Sequence, residues 1–182
     1  MEPLLVALIT LNVSCLAAFQ WGRRRYFHQA GNDRIRGGLG PLGTIFAAAQ
    51  LPLVWVGGHY SDSFLIIIAE LLYALSLCLF FWTVNSHQER PGIAFTPGAP
   101  AVLVTTGAYR VARHPFYLAY LLFWGGVAVV APFASGLPIF VVMSILYART
   151  AVYEEAGIMR SPLASDYTEY RSRVGMFFIW PR

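Results

Sequence analysis

The sequence predicts an all-α integral membrane protein with five transmembrane helices, the last two forming a helical hairpin, an N-terminus outside and a C-terminus in the cytoplasm. Three observations lead there. Of 182 residues, 57% are hydrophobic and only 12% charged, against roughly 25% charged in ordinary soluble domains. The mean hydropathy is +0.56, and the apolar residues gather in long stretches nearly free of charge. All thirteen basic residues are arginines, and they fall in alternate loops. This composition excludes a soluble single domain.

The elements follow in order. Pro3 to Gly22, Gly37 to Ser61, and Ser63 to Gln88, interrupted only by Glu70, each suffice for one crossing, which takes about 20 apolar residues. Pro115 to Ala148 is too long for a single crossing and is broken by Pro132, Ser135, Gly136 and Pro138, so it reads as two helices joined by a tight turn near Ala134. The chain is then a single membrane domain over 1–182, with three helices in 1–82 and a long loop, the hairpin and a tail in 83–182.

Charge sets the expected orientation. Arg23, Arg24, Arg25, Arg34 and Arg36 lie in the first loop, Arg90, Arg110 and Arg113 in the third, and Arg149, Arg160, Arg171, Arg173 and Arg182 at or after the last helix. The second and fourth loops carry none. Cytoplasmic loops collect arginine, so five crossings leave the N-terminus outside. The pI near 9.3 then reflects this bias and anionic headgroups rather than nucleic acid, for which there is no motif. The Met-Glu-Pro start lacks the basic region of a secretory signal, so the first stretch is expected to stay as an anchor. Cys15 and Cys78 sit inside apolar stretches with no set of metal or disulfide partners, and no metal is expected.

Polar chemistry is left to the cytoplasmic segments. The longest, Thr83 to His114, holds Pro91, Gly92, Pro97, Gly98 and Pro100 and reads as an irregular loop. Proline suits the first position of a helix and disfavours helical geometry in the residue before it, so the fourth helix should start at Pro115 with His114 just outside. A helix N-terminus there favours an anionic group.

A second constellation follows the fifth crossing: Arg149, then Glu154 and Glu155, then Asp166-Tyr167-Thr168-Glu169-Tyr170 with Arg171 and Arg173. His114 lies about twenty residues before the turn and Glu154 about twenty after. Antiparallel helices rising about 1.5 Å per residue bring them to the same depth. The alternative reading makes Arg110, Arg113 and Arg149 interfacial anchors, Tyr109, Tyr117 and Tyr120 part of an aromatic belt, and the glutamates a solvated face. Glu70 stands apart, as part of a substrate or proton path or in an interhelical hydrogen bond to a residue such as Asn12. His59 reads as solvated. His87 and Glu89 either cap the third helix or line a pocket formed where His114 and the two glutamates meet.

Thr106-Gly107-Ala108-Tyr109, Arg113-His114-Pro115-Phe116-Tyr117, Glu154-Glu155 and the Asp166 to Tyr170 run resemble the isoprenylcysteine carboxyl methyltransferase family, small membrane enzymes related to phospholipid methyltransferases. The resemblance covers about residues 80 to 182. It implies S-adenosylmethionine as cofactor, held by Leu103, Val104, Tyr109, His114, Pro115, Phe116, Tyr117 and a glutamate, Glu154 or Glu155. It also implies Glu154 and Arg149 at the catalytic centre, with Arg149 in the substrate site and spaced one residue off the family pattern. Arg113 or Arg149 would hold an anionic substrate head by charge-assisted hydrogen bonds. The family's C-terminal Val-Pro-Arg is replaced here by Val174-Gly175-Met176.

The implied activity is methyl transfer to a lipophilic substrate that reaches the site from the bilayer, at the cytoplasmic face of what all-arginine usage suggests is a bacterial inner membrane. The acceptor is a carboxylate of isoprenylcysteine type, a phospholipid amine or a thiol. Two other classes stand beside it: a membrane reductase using a nicotinamide dinucleotide, and a non-enzymatic membrane protein.

Overall fold

The computed structural model describes residues 2–26, 34–88 and 103–178, with the side chains of all of these except 26, 34–44, 87 and 88. The described residues are all-helical: α1 (Glu2–Tyr26), α2 (Arg34–Tyr60), α3 (Ser63–Gln88), a 3-10 turn (Gly107–Arg110), α4 (Pro115–Val130), α5 (Phe133–Ile158) and α6 (Ala164–Arg173). The His87 side chain and Glu89 lie outside the described residues.

Local chemistry explains most boundaries. α1 opens with Glu2 and closes with Arg23, Arg24 and Arg25, complementing the helix dipole at both ends. α4 starts at Pro115, with His114 just outside. It stops at Ala131, which the following proline holds in extended geometry with φ −69° and ψ 154°. The hairpin turn is therefore tighter than expected: α5 begins at Phe133 and carries Pro138 inside, so one lost hydrogen bond does not break it. α3 spans Ser63–Gln88, the bounds of the third nearly uncharged stretch.

Three described segments are long and apolar enough to cross a membrane: Glu2–Arg25, Ser63–Ser86 and Phe133–Ile158. α4 is a shorter apolar helix of 16 residues, about 24 Å long. Their outer faces are apolar, with Val6, Val13, Phe64, Leu71, Leu75, Val141, Ile145 and Val152 all exposed. Such a surface suits a lipid environment. Cys78 lies on an exposed face as well, whereas Cys15 is buried.

Contacts between helices show how they run. Phe19 meets Phe80 and Tyr120, at centroid distances of 5.2 and 4.7 Å, so the ends of α1 and α3 lie level with the start of α4. Gly57 and Gly58 of α2 meet Val130 and Leu5 at the opposite level. Arg23, Arg24 and Arg25 thus share one end of the bundle with the 3-10 turn, the end of α5 and α6. Three of the neighbouring pairs are also tied by side-chain hydrogen bonds. The Asn12 and Gln50 amides exchange two hydrogen bonds, of 3.2 and 3.0 Å. Ser76 donates to Ala119 O at 2.7 Å, and Trp124 Nε1 donates to the Tyr147 hydroxyl at 3.2 Å. Asn12 therefore bonds Gln50 rather than Glu70. His59 is exposed, its ring 2.8 Å from Trp55 O.

The 3-10 turn is locked to α3 by one glycine. Gly107 has φ 61°, which a side chain rarely adopts, and a Cβ there would collide with Ser86 Oγ. That oxygen accepts from Ala108 N at 3.0 Å. A Cβ on Gly157, in contrast, would meet nothing within 4 Å. Gly107→Ala is expected to destabilise the protein by about 1–3 kcal/mol, and Gly157→Ala to be neutral or stabilising by up to about 1 kcal/mol. Thermal unfolding of the two variants in detergent checks the contrast.

Candidate functional site

The polar cluster at the arginine-rich end is built from three segments. His114 caps α4 without using its side chain on the helix, which leaves the imidazole to reach α5. Glu155 continues the buried stripe of α5 formed by Thr150 and Ala151. Glu154 is turned by about 100° and shares a face with Tyr147, seven residues earlier. Tyr117, Tyr120 and Trp124, at spacings of three and four, form the facing stripe of α4.

Glu155 is the hub, with a side chain only 6% exposed. Arg113 approaches Oε1 with Nη2 at 2.9 Å and Nε at 3.0 Å. His114 Nε2 lies 3.1 Å from the same oxygen, and Arg171 Nε is 4.0 Å from the other. The neighbouring Glu154 is more open, at 22%. It accepts from the Tyr117 hydroxyl at 2.9 Å and lies 3.7 Å from His114 Nδ1. The imidazole is thus held between two carboxylates. On its other side the Tyr117 ring stacks on His114, at 5.6 Å and 12°, and on Tyr147, at 5.4 Å and 17°.

α6 and the tail close the cluster through backbone. Arg113 N donates to Gly175 O at 2.9 Å and His114 N to Met176 O at 3.1 Å, while Arg113 Nη1 donates to Val174 O. The Tyr170 hydroxyl donates to Tyr109 O at 2.7 Å. Tyr167, 2% exposed, lies beside Arg113 and Glu155. Burial raises the hydroxyl pKa values of Tyr109, Tyr167 and Tyr170. The Glu154 charge adds to the rise at Tyr109, and the Glu155 charge at the other two. All three phenols therefore stay neutral donors over the ordinary pH range.

Among the residues singled out in the sequence, Tyr109, Arg113, His114, Tyr117, Glu154 and Glu155 converge. Pro115 sets the start of α4. Phe116 packs into the bundle core against Phe80, at 5.5 Å. Val104 is buried and Leu103 half-buried in the strand of chain leading to the 3-10 turn. Arg149 is exposed. Five residues before Glu154, it points about 140° away from that side chain. Tyr167 and Tyr170, from the run singled out after Glu155, join the cluster as well, whereas Tyr147, Trp124 and the Val174–Met176 backbone were not expected there. Spacing of three in the Tyr167–Tyr170 pair signals a shared helix face, but backbone pairing of the tail has no side-chain signature. Among the described residues no group of His, Cys, Asp and Glu is arranged to hold a metal ion.

Removing Glu155 would leave a guanidinium and an imidazole buried without their carboxylate. Glu155→Ala is expected to cost about 3–5 kcal/mol, and Glu154→Ala, on the more open side, about 1 kcal/mol or less. Chemical denaturation of each variant followed by circular dichroism distinguishes them.

No curated protein and no solved structure matches this chain. A family match does exist, and it runs from the middle of α2 through α6, including every member of the cluster up to Val174. With residues 46–174 matching the family described as "Protein of unknown function (DUF1295)", the chain belongs to that family, which lies in the steroid 5-alpha-reductase/methyltransferase-like superfamily.

Proposed function

We propose that this protein transfers a methyl group from S-adenosylmethionine to a lipophilic acceptor reached from the bilayer, most like the carboxylate of an isoprenylcysteine-type substrate. The observation that carries the reading is the convergence of Glu154, His114 and Tyr117 at the mouth of the α4–α5 hairpin, with 2.9 Å from the Tyr117 hydroxyl to Glu154. Their chemistry fits the cofactor. A carboxylate suits its ammonium or ribose hydroxyls, the stacked Tyr117 face suits a sulfonium or a base, and the neutral Tyr109 phenol is a further donor. Bound there, the cofactor supplies an electrophilic methyl group.

The chain's own contribution is alignment. Glu155 and Arg113 fix His114 and the start of α4, so Tyr117 and Glu154 are presented from a rigid frame. Positioning of two reactants is worth about 7–11 kcal/mol. A carboxylate acceptor needs no base, whereas an amine or thiol acceptor would lose its proton to His114 or Glu154. Arg113 is committed to Glu155 and the tail, which leaves exposed Arg149 as the candidate anchor for an anionic substrate head at the membrane surface. In this reading the chain crosses five times, with the arginine-rich end in the cytoplasm. A cysteine introduced at Asp62 is then expected to react with an impermeant maleimide on intact cells, and one at Ser161 only after lysis. The reverse pattern would invert the topology.

Membership of a superfamily that also contains steroid reductases favours one second reading, reduction with a nicotinamide dinucleotide. Calorimetric titration of detergent-purified protein separates the two. The methyltransferase reading expects micromolar S-adenosylhomocysteine binding, about 8 kcal/mol, weakened at least about tenfold by His114→Ala or Glu154→Gln and unaffected by NADP. Binding of NADP alone moves the assignment to the reductase. Binding of neither to folded protein leaves a non-enzymatic role.

A further inference from the structure

An open surface groove of about 420 Å3 lies along α1, lined by Ala17, Gln20, Trp21, Arg24 and Arg25, and none of these residues belongs to the cluster around Glu155. We infer that it seats the phosphate headgroup and upper acyl region of one anionic glycerophospholipid. Spacings of three and four place these residues along one stripe of α1. From Ala17 to Arg25 the helix rises about 12 Å, the distance from acyl chains to headgroups at the end of a span that begins at Glu2.

Each lining residue matches a part of such a lipid. The C-terminal end of a helix carries about half a negative charge, which by itself repels a phosphate, so more than one cation is required. Arg23 Nε is engaged with Gln20 Oε1 at 3.1 Å, which leaves the Gln20 amide nitrogen to donate. Among the described residues no carboxylate pairs with Arg24 or Arg25, and two guanidinium forks suit phosphate oxygens. Trp21 is 46% exposed and braced by Phe81 of α3, at 6.3 Å. An indole in that position favours the interface, and with Ala17 it forms an apolar wall continuing down the span. A volume equal to about fourteen waters exceeds what inorganic phosphate needs, and the apolar wall offers that ion nothing.

The test is native mass spectrometry of the full chain in neutral detergent, titrated with phosphatidylglycerol, with phosphatidylcholine, and with phosphatidylglycerol in the presence of inorganic phosphate. One phosphatidylglycerol is expected to be retained preferentially and not displaced by phosphate. The Arg24→Ala/Arg25→Ala protein is expected to bind it about thirtyfold more weakly, while Arg160→Ala leaves affinity unchanged. Equal retention of phosphatidylcholine, displacement by inorganic phosphate, or undiminished binding by a folded double variant would each overturn the assignment. The wild-type comparison decides between lipids even if the double variant does not fold.

Discussion

The geometry of the polar end depends on one buried ion pair, Arg113 with Glu155. Its two side chains are 8% and 6% exposed, so each charge has given up most of its hydration. A pair this far from water holds together only when its remaining hydrogen-bonding capacity is also used. Here it is used fully enough to join three segments: the turn before α4, the last helical turns of α5, and the tail after α6. Arg113 bonds Glu155 through Nε and Nη2 and the Val174 carbonyl through Nη1. His114 shares the same carboxylate oxygen. Whatever ligand the site takes, it meets a frame set by this pair.

The bundle behind it answers a different constraint. Between apolar helices in a lipid environment there is little hydrophobic drive to associate, so close approach and interhelical hydrogen bonds set the arrangement. Gly126 lets the Tyr73 ring lie against α4, and Gly57 lets α2 touch the Val130 carbonyl. The Asn12–Gln50 amide pair and the Ser76 bond to Ala119 fix register where apolar side chains would slide. Glu70 Oε1 and the Tyr73 hydroxyl are exceptions, both buried without a hydrogen-bond partner among the described residues. The polar end and the apolar bundle meet along the stacked rings of His114, Tyr117 and Tyr147, so the site is a continuation of the α4–α5 seam.

Much of this was legible in the residues. The start of α4 at Pro115 and the meeting of His114 with Glu154 and Glu155 follow from proline stereochemistry and from counting residues on both sides of a helical turn. Those are local rules. What misled was also local: Pro138 suggested a break where α5 continues. A proline near a helix start removes a single hydrogen bond, and the rest of the helix tolerates its loss.

By itself, then, the sequence determined a helical, membrane-type chain, its hairpin, and the set of side chains gathered at the arginine-rich end, because hydropathy, helix periodicity and proline geometry are properties of neighbouring residues. Tertiary structure decided the division of labour within that set. Two adjacent glutamates are equivalent in sequence, yet a turn of about 100° sends Glu155 into the buried ion pair and leaves Glu154 at the opening. It also decided that Asn12 bonds Gln50, that Arg149 faces outward, and that the backbone after α6 straps Arg113 and His114. Each of these depends on which faces of distant helices meet, and on backbone groups that no side chain advertises.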